Sequence, residues 1–314
     1  MVTYQSIFNE ILGDSIRDIH IIGYDYSKEN VNKNHNYTPY YHSLDDNSSF
    51  LLGSFLRKHI VFSSYSEKEI INKYNKGQFD QLEKLVQITK RNRLPKREGS
   101  TNGLYSEVLL DLILNLKYPD IYKACVRTLH RQRTDNQEIK GFDSTHLLIQ
   151  ETKLEQIVYL ILGQAKLGSK SYCLGSIKED INKTTFFYTY DELFFISDKV
   201  SALEEPVQNI LNDLNEFFFD IESDDDLIKK EKVNKYFSEN NIKLTIPCLI
   251  AYDKPSVYQS KDMVIANLER EIDSVIKNLD SCNSEENGLN LTIIFILFPI
   301  KEIKKLREGM DHEL

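Results

Sequence analysis

The clearest periodicity in the chain lies in residues 104–116. Leu104, Val108, Leu112 and Leu116 recur four apart with Leu109 and Ile113 beside them, so the stretch is predicted as a helix with one buried face. Residues 141–150 and 156–167 read as strands, and the turn over 151–155 folds them into a hairpin. Residues 244–252 and 291–298 are apolar enough to be buried strands, with a helix over 261–279 between them. Pro299 and a short basic helix follow. Between the hairpin and these strands the pattern predicts a short helix over 176–182, a strand over 184–190 and a helix over about 200–219. The acidic run 220–226 reads as a solvated connector. Helix, hairpin, then helices alternating with apolar strands predict an α/β fold, a mixed sheet with helices packed on it.

The N-terminal part is less regular. Residues 14–23 alternate partly and are a candidate strand, while 27–47 are rich in Asn and Tyr and poor in aliphatics, predicting a long surface loop. An apolar pattern resumes over 50–62, and Ser66 is placed to N-cap a helix over 67–74. A further helix over 79–91 gathers Phe79, Leu82, Leu85, Val86 and Ile88 on one side. The basic run 90–97 then ends in Glu98-Gly99-Ser100, a hinge that divides the chain into an N-terminal mixed α/β region, 1–98, and a domain over 99–314. That run, with Lys123, Arg127, Arg131 and Arg133 further on, is either solvated surface or a basic approach for phosphates. No internal repeat is evident.

Composition narrows the function classes. The 314 residues carry 39 Lys and Arg against 48 Asp and Glu, a formal charge of −9, so any nucleic-acid binding needs a local basic cleft. Cys125, Cys173, Cys248 and Cys282 lie far apart, which argues for reduced thiols and against a zinc site or disulfide framework. No signal sequence opens the chain, and the apolar runs 157–162 and 293–300 are too short to span a bilayer. A cytoplasmic protein without membrane contact is expected. With no Gly-rich phosphate loop, the chain is not expected to hydrolyse ATP.

Candidate chemistry sits on the hairpin. Gln164 and Lys166, two apart on a strand, project from the same face at the end of an apolar run. Asp143 lies on the strand that folds back alongside, and Glu107 lies in the preceding helix, one position before core-facing Val108. Two acids and an amide oxygen can hold Mg2+ or Mn2+, while a lysine orients a water, helps deprotonate it or offsets charge growing on a phosphorane. On spacing alone, chance accounts for these residues better than a phosphodiesterase does, and Glu107 then simply points to water. His146, on the opposite strand face from Asp143, reads as structural. Lys170, Tyr172 and Lys178, where an auxiliary cation is often found, read as solvated surface. Glu151 and Glu155 read as turn acids, and residues 220–226 lack the Gly and terminal Glu of a calcium loop.

The order of a helical Glu, then Asp, then x-Lys preceded by an acid or amide resembles the PD-(D/E)XK nuclease signature. More specifically, Gly141-Phe142-Asp143-Ser144-Thr145-His146-Leu147 followed by Leu162-Gly163-Gln164-Ala165-Lys166 resembles the HamA family, the nuclease subunit of the Hachiman anti-phage system. In that family a G-x-D-x-x-H strand precedes an L-G-E-A-K strand. Phe295-Ile296-Leu297-Phe298-Pro299 fits its C-terminal region, and the likeness runs over roughly residues 100–300. The resemblance implies a restriction-endonuclease-like fold with Glu107 as the helical acid, Asp143 as the principal metal ligand and Lys166 as the signature lysine. It also implies a divalent-metal DNA endonuclease that works with a partner helicase. Gln164 departs from the family's usual glutamate and removes one negative charge from the metal site; some enzymes resembling Mrr restriction nucleases share the Q-x-K form. The alternatives are a catalytically inactive nuclease fold that holds DNA or serves a structural role, and an RNA-cleaving toxin. Oligomeric state and the role of residues 1–98 are left open, helicase docking being one use for the latter.

Overall fold

The structure is a computed structural model and describes residues 2–26, 34–93, 102–126, 142–151, 155–183, 190, 205–222, 224–280, 282 and 291–312. Its centre is a seven-stranded mixed sheet in the order β1-β2-β7-β6-β5-β4-β3. The strands are β1 (Ile22–Gly23), β2 (His35–Tyr41), β3 (Ile121–Val126), β4 (Ser144–Glu151), β5 (Gln156–Gly168), β6 (Ile242–Asp253) and β7 (Leu291–Ile300). Strands β3, β4 and β5 are antiparallel neighbours, β5, β6, β7 and β2 run parallel, and β1 closes the far edge antiparallel to β2.

Helices cover both faces, which is why β5, β6 and β7 read as continuous apolar runs. On one face lie α7 (Lys170–Lys183), α8 (Glu205–Ile221), α9 (Asp226–Glu239) and α10 (Val264–Leu279). Their Ile177, Leu211, Val233 and Leu268 are buried together with Leu160, Leu162, Ile250 and Phe295 of the sheet. On the other face, α3 (Ser48–Ser64), α4 (Glu67–Asn75), α5 (Leu82–Arg93), α6 (Asn102–Lys117) and α11 (Ile303–Asp311) bury Leu56, Ile70, Val86, Val108 and Leu306 with Ile161, Ala165, Leu249 and Phe298. The N-terminal helical turns α1 (Tyr4–Phe8) and α2 (Asp14–Ile16) join this second layer. No helix among the described residues is long and apolar enough to cross a membrane.

Several elements follow the pattern closely. The hairpin of β4 and β5 forms in the register Ser144↔Gly163 to Glu151↔Gln156. Ser66 caps α4 with a reciprocal capping box, its hydroxyl accepting from the Glu69 amide while the Glu69 carboxylate accepts from the Ser66 amide. Other elements differ. The stretch expected as a surface loop contains β2, which pairs in parallel with β7 from His35↔Ile293 to Pro39↔Leu297. Aromatic rings replace aliphatics there: Tyr37 stacks on Phe295 with centroids 5.2 Å apart, and His35 meets the same ring edge-on at 5.1 Å. Residues 14–23 enter as helix, and only Ile22–Gly23 are strand. The acidic run is largely helix ends, since α8 continues to Ile221 and the Asp225 carboxylate caps α9 by accepting the amides of Leu227 and Ile228, both at 3.0 Å. Residues 184–189 and 200–204 lie outside the described residues, as do 94–97, Arg127, Arg131 and Arg133. Residues before 99 thus supply β1, β2, α3, α4 and α5 to the same sheet and core as those after it.

Candidate active site

Strand β4 begins at Ser144, opposite Gly163, whereas β5 runs on to Gly168 with β6 at its other edge. A notch results where β5 outruns β4, and Asp143 fills it. The Asp143 amide donates to the Gly163 carbonyl at 2.8 Å, and its carboxylate Oδ2 accepts the Ala165 amide at 2.7 Å. A side chain thereby continues the ladder that the backbone has left, satisfying a buried N–H. Gly163 is required nearby because a Cβ on it would stand 2.4 Å from Ser144 Oγ and 2.7 Å from Leu110 Cδ2 of α6. Its lack of a side chain lets α6 lie close against the hairpin.

Gln164 and Lys166 flank Ala165 and share the strand face of Leu160 and Leu162, under α7. In the parallel register they stand beside Cys248 and Ile250 of β6. Gln164 is buried. The Lys166 side chain is 19% exposed, and its Nζ lies 2.7 Å from Asp180 Oδ2 of α7. Burial works against the ammonium charge, but the carboxylates of Asp143 and Asp180 outweigh it and hold Lys166 above the ordinary lysine value. The thiol of Cys248 is pushed up first by burial, and the charges of Asp180, Lys166 and Asp143 also act on it. One region of the sheet therefore gathers Asp143, Gln164, Lys166 and Asp180.

Glu107 comes from the other layer. It is 6% exposed and so does not point to water. Its neighbour Ser106 donates to the Gly103 carbonyl at 2.8 Å and reaches the Ala165 carbonyl at 3.3 Å. Ala165 thus meets the start of α6 through its carbonyl and Asp143 through its amide.

His146, Lys170 and Asp224 have structural partners. His146 Nε2 pairs with Asp111 Oδ1 at 2.8 Å, while Asp111 Oδ2 takes His59 Nε2 at 2.8 Å and Ser63 Oγ at 2.6 Å, all buried on the α6 side. Burial opposes the Asp111 charge, yet Lys123, His146 and His59 hold its carboxyl well below the usual range. Lys170 Nζ is held 2.6 Å from Glu271 Oε1 and donates to Ser274 Oγ at 3.0 Å. Tyr172 is exposed, and Asp224 pairs with Lys232 at 2.7 Å. Asp180 escaped sequence reasoning, because nothing in its spacing from Lys166 announces a contact that only the packing of α7 creates.

Among the described residues, no three His, Cys, Asp or Glu side chains are grouped closely enough to hold a metal by themselves. With Asp180 paired to Lys166, the donors the signature residues offer are the carboxylates of Asp143 and Glu107 and the amide oxygen of Gln164. That set fits a hard, water-rich cation such as Mg2+, which commonly takes one or two carboxylates and keeps several waters, and does not suit zinc. Fold and side chains together define a mixed α/β protein with a carboxylate, an amide and a lysine at the notch where a hairpin joins parallel strands. The chain belongs to the HamA family, whose model matches residues 15–314. That membership suggests a subunit of the Hachiman anti-phage defence system. No curated protein sequence matches it.

Proposed function

We propose that this chain is the nuclease subunit of Hachiman defence, a metal-dependent DNA endonuclease of the PD-(D/E)XK kind that works with a partner helicase. The observation that carries the reading is the notch itself. Asp143 and Lys166 converge on the same end of β5, close enough for the acid to hold up the charge of the lysine. A bound Mg2+ or Mn2+ supplies Lewis acidity toward a phosphodiester and lowers the pKa of water. Asp143 would be the principal carboxylate for it and the Gln164 amide oxygen a neutral ligand, with Glu107 the acid that α6 would bring from the far side of Ala165. Lys166, with its ammonium held charged, suits offsetting negative charge on the phosphorane better than removing a proton from water. Backbone contacts without base readout are expected for a degradative effector.

The test is plasmid cleavage by the purified chain, alone and with its helicase, in Mg2+ or Mn2+. Wild type should cut, and Lys166→Ala and Asp143→Ala should not; equal rates in all three would end the enzyme reading. RNA loss with intact DNA would make it a ribonuclease. A second reading, an inactive nuclease fold that holds DNA, is favoured by neutral Gln164 and by the lack, among the described residues, of a grouped three-ligand set. It requires DNA retention without cleavage in every metal.

A further inference from the structure

The charge of Lys166 has to be balanced inside the protein, since four-fifths of its side chain is covered. Its neighbour on the same strand face, Gln164, is neutral. Asp143 lies nearby but already commits one carboxylate oxygen to the Ala165 amide. The other acid comes from a different element: Asp180 of α7, with Oδ2 at 2.7 Å from Lys166 Nζ.

Helix α7 is itself fixed. Cys173, Leu174, Ile177 and Ile181 are buried against the sheet, and Cys173 Sγ donates to the Ala251 carbonyl of β6 at 3.4 Å. At the start of the helix, Lys170 is held by Glu271 and Ser274 of α10. Glu271 also takes Lys254 at 3.1 Å, so these two cations are committed to it. Asp180 follows Ile177 by three positions, which sets it beside that buried residue on the helix, and its carboxylate meets Lys166 there.

We propose that Asp180 is the positioning residue of this site: a clamped helix presents its carboxylate to the Lys166 ammonium and fixes that ammonium beside the notch that Asp143 caps. The functional consequence rests on the nuclease reading above. The positional claim does not, and the two are separable. Without Asp180, the four-carbon stem of Lys166 regains its rotamers and the ammonium spends less time at the reacting phosphate.

The test combines amine labelling with kinetics on the full-length chain. Native protein is acetylated briefly with an N-hydroxysuccinimide ester, and the extent at Lys166 is read by mass spectrometry against exposed Lys243. In Asp180→Asn, a near-isosteric change, Lys166 should label at least fivefold faster, with Lys170 unchanged because Glu271 still holds it. In plasmid cleavage the same variant should lose at least tenfold in kcat with KM within twofold, and Asp180→Glu should recover most of that loss. A thermal melt confirms that both variants are folded; if Asp180→Asn is not, Asp180→Glu against Asp180→Ser carries the same comparison. Unchanged labelling of Lys166 would overturn the proposal. So would faster labelling that leaves wild-type cleavage kinetics intact. If wild type cuts nothing while labelling still rises in Asp180→Asn, the positioning stands and the nuclease reading falls.

Discussion

The Asp143 carboxylate accepts the Ala165 backbone amide at 2.7 Å, so the acid proposed as the principal metal ligand is also the cap of an interrupted strand pair. The two roles can be separated by substitution. Asp143→Asn keeps an acceptor for the amide and should retain near wild-type stability, while cleavage falls by about 100-fold or more as the charge is lost. Asp143→Ala loses the acceptor as well and strands a buried N–H, at a cost of about 1–3 kcal/mol. Urea denaturation of the two variants checks this; equal stability would mean that the hydrogen bond does not support the fold.

Gln164 shares a strand face with Lys166, and under the proposed metal reading a negative charge there would meet the cation. Gln164→Glu is expected to tighten Mn2+ binding by about tenfold, because the charge of the ligand set tunes affinity for hard cations. Titration calorimetry would show it. If affinity is unchanged in the folded variant, residue 164 does not face the ion.

Acid should destabilise the protein through His42. Its Nε2 accepts the Lys301 amide at 2.9 Å, its Nδ1 lies 2.8 Å from the Ser43 carbonyl, and its ring stacks on Tyr258 at 4.2 Å. Burial, helped by nearby Lys301, lowers its pKa to about 4, against about 6.5 for an unfolded histidine. A depressed folded-state value means that the unfolded chain takes up the proton first. The stabilisation is complete above about pH 6.5 and is lost progressively as pH falls from there toward 4. Wild type should lose denaturation midpoint between pH 7.5 and 5, and His42→Gln should lose less; parallel declines would remove His42 from the account.

Helices α3 and α11 touch backbone to backbone. A Cβ at Gly53 would stand 2.0 Å from the Leu306 carbonyl oxygen, and one at Gly309 would stand 2.1 Å from that of Phe50. Neither carbonyl can retreat without moving its helix. Gly53→Ala and Gly309→Ala should each cost about 1–3 kcal/mol or more, whereas Gly175→Ala, with open space around it, should be near neutral. Thermal melts of the three variants decide it.

What the sequence disclosed follows from local physics. Strand alternation placed Gln164 and Lys166 together, and four-residue spacing in 104–116 marked α6, because both periodicities are properties of short stretches. Strand β2 was hidden because its burial relies on Tyr and His rings against Phe295, which read as polar loop when scored one residue at a time. Helix α9 was hidden by its charges; Asp226–Glu239 buries Val233 and Phe237 within a largely ionic stretch. Asp180 was hidden for a different reason. Its meaning depends on where α7 docks on β5 and β6, and docking is a property of the assembled layers.

The pairing of β2 with β7 has a consequence for synthesis. Residues 35–41 leave the ribosome some 250 positions ahead of residues 291–300, the edge they must join. Until then β7 does not exist, β6 lacks one neighbour, and the early segment has no parallel mate. A nascent chain is therefore held short of its finished sheet until residues 291–300 have been made. Under the nuclease reading proposed above, such late closure would keep unfinished copies harmless.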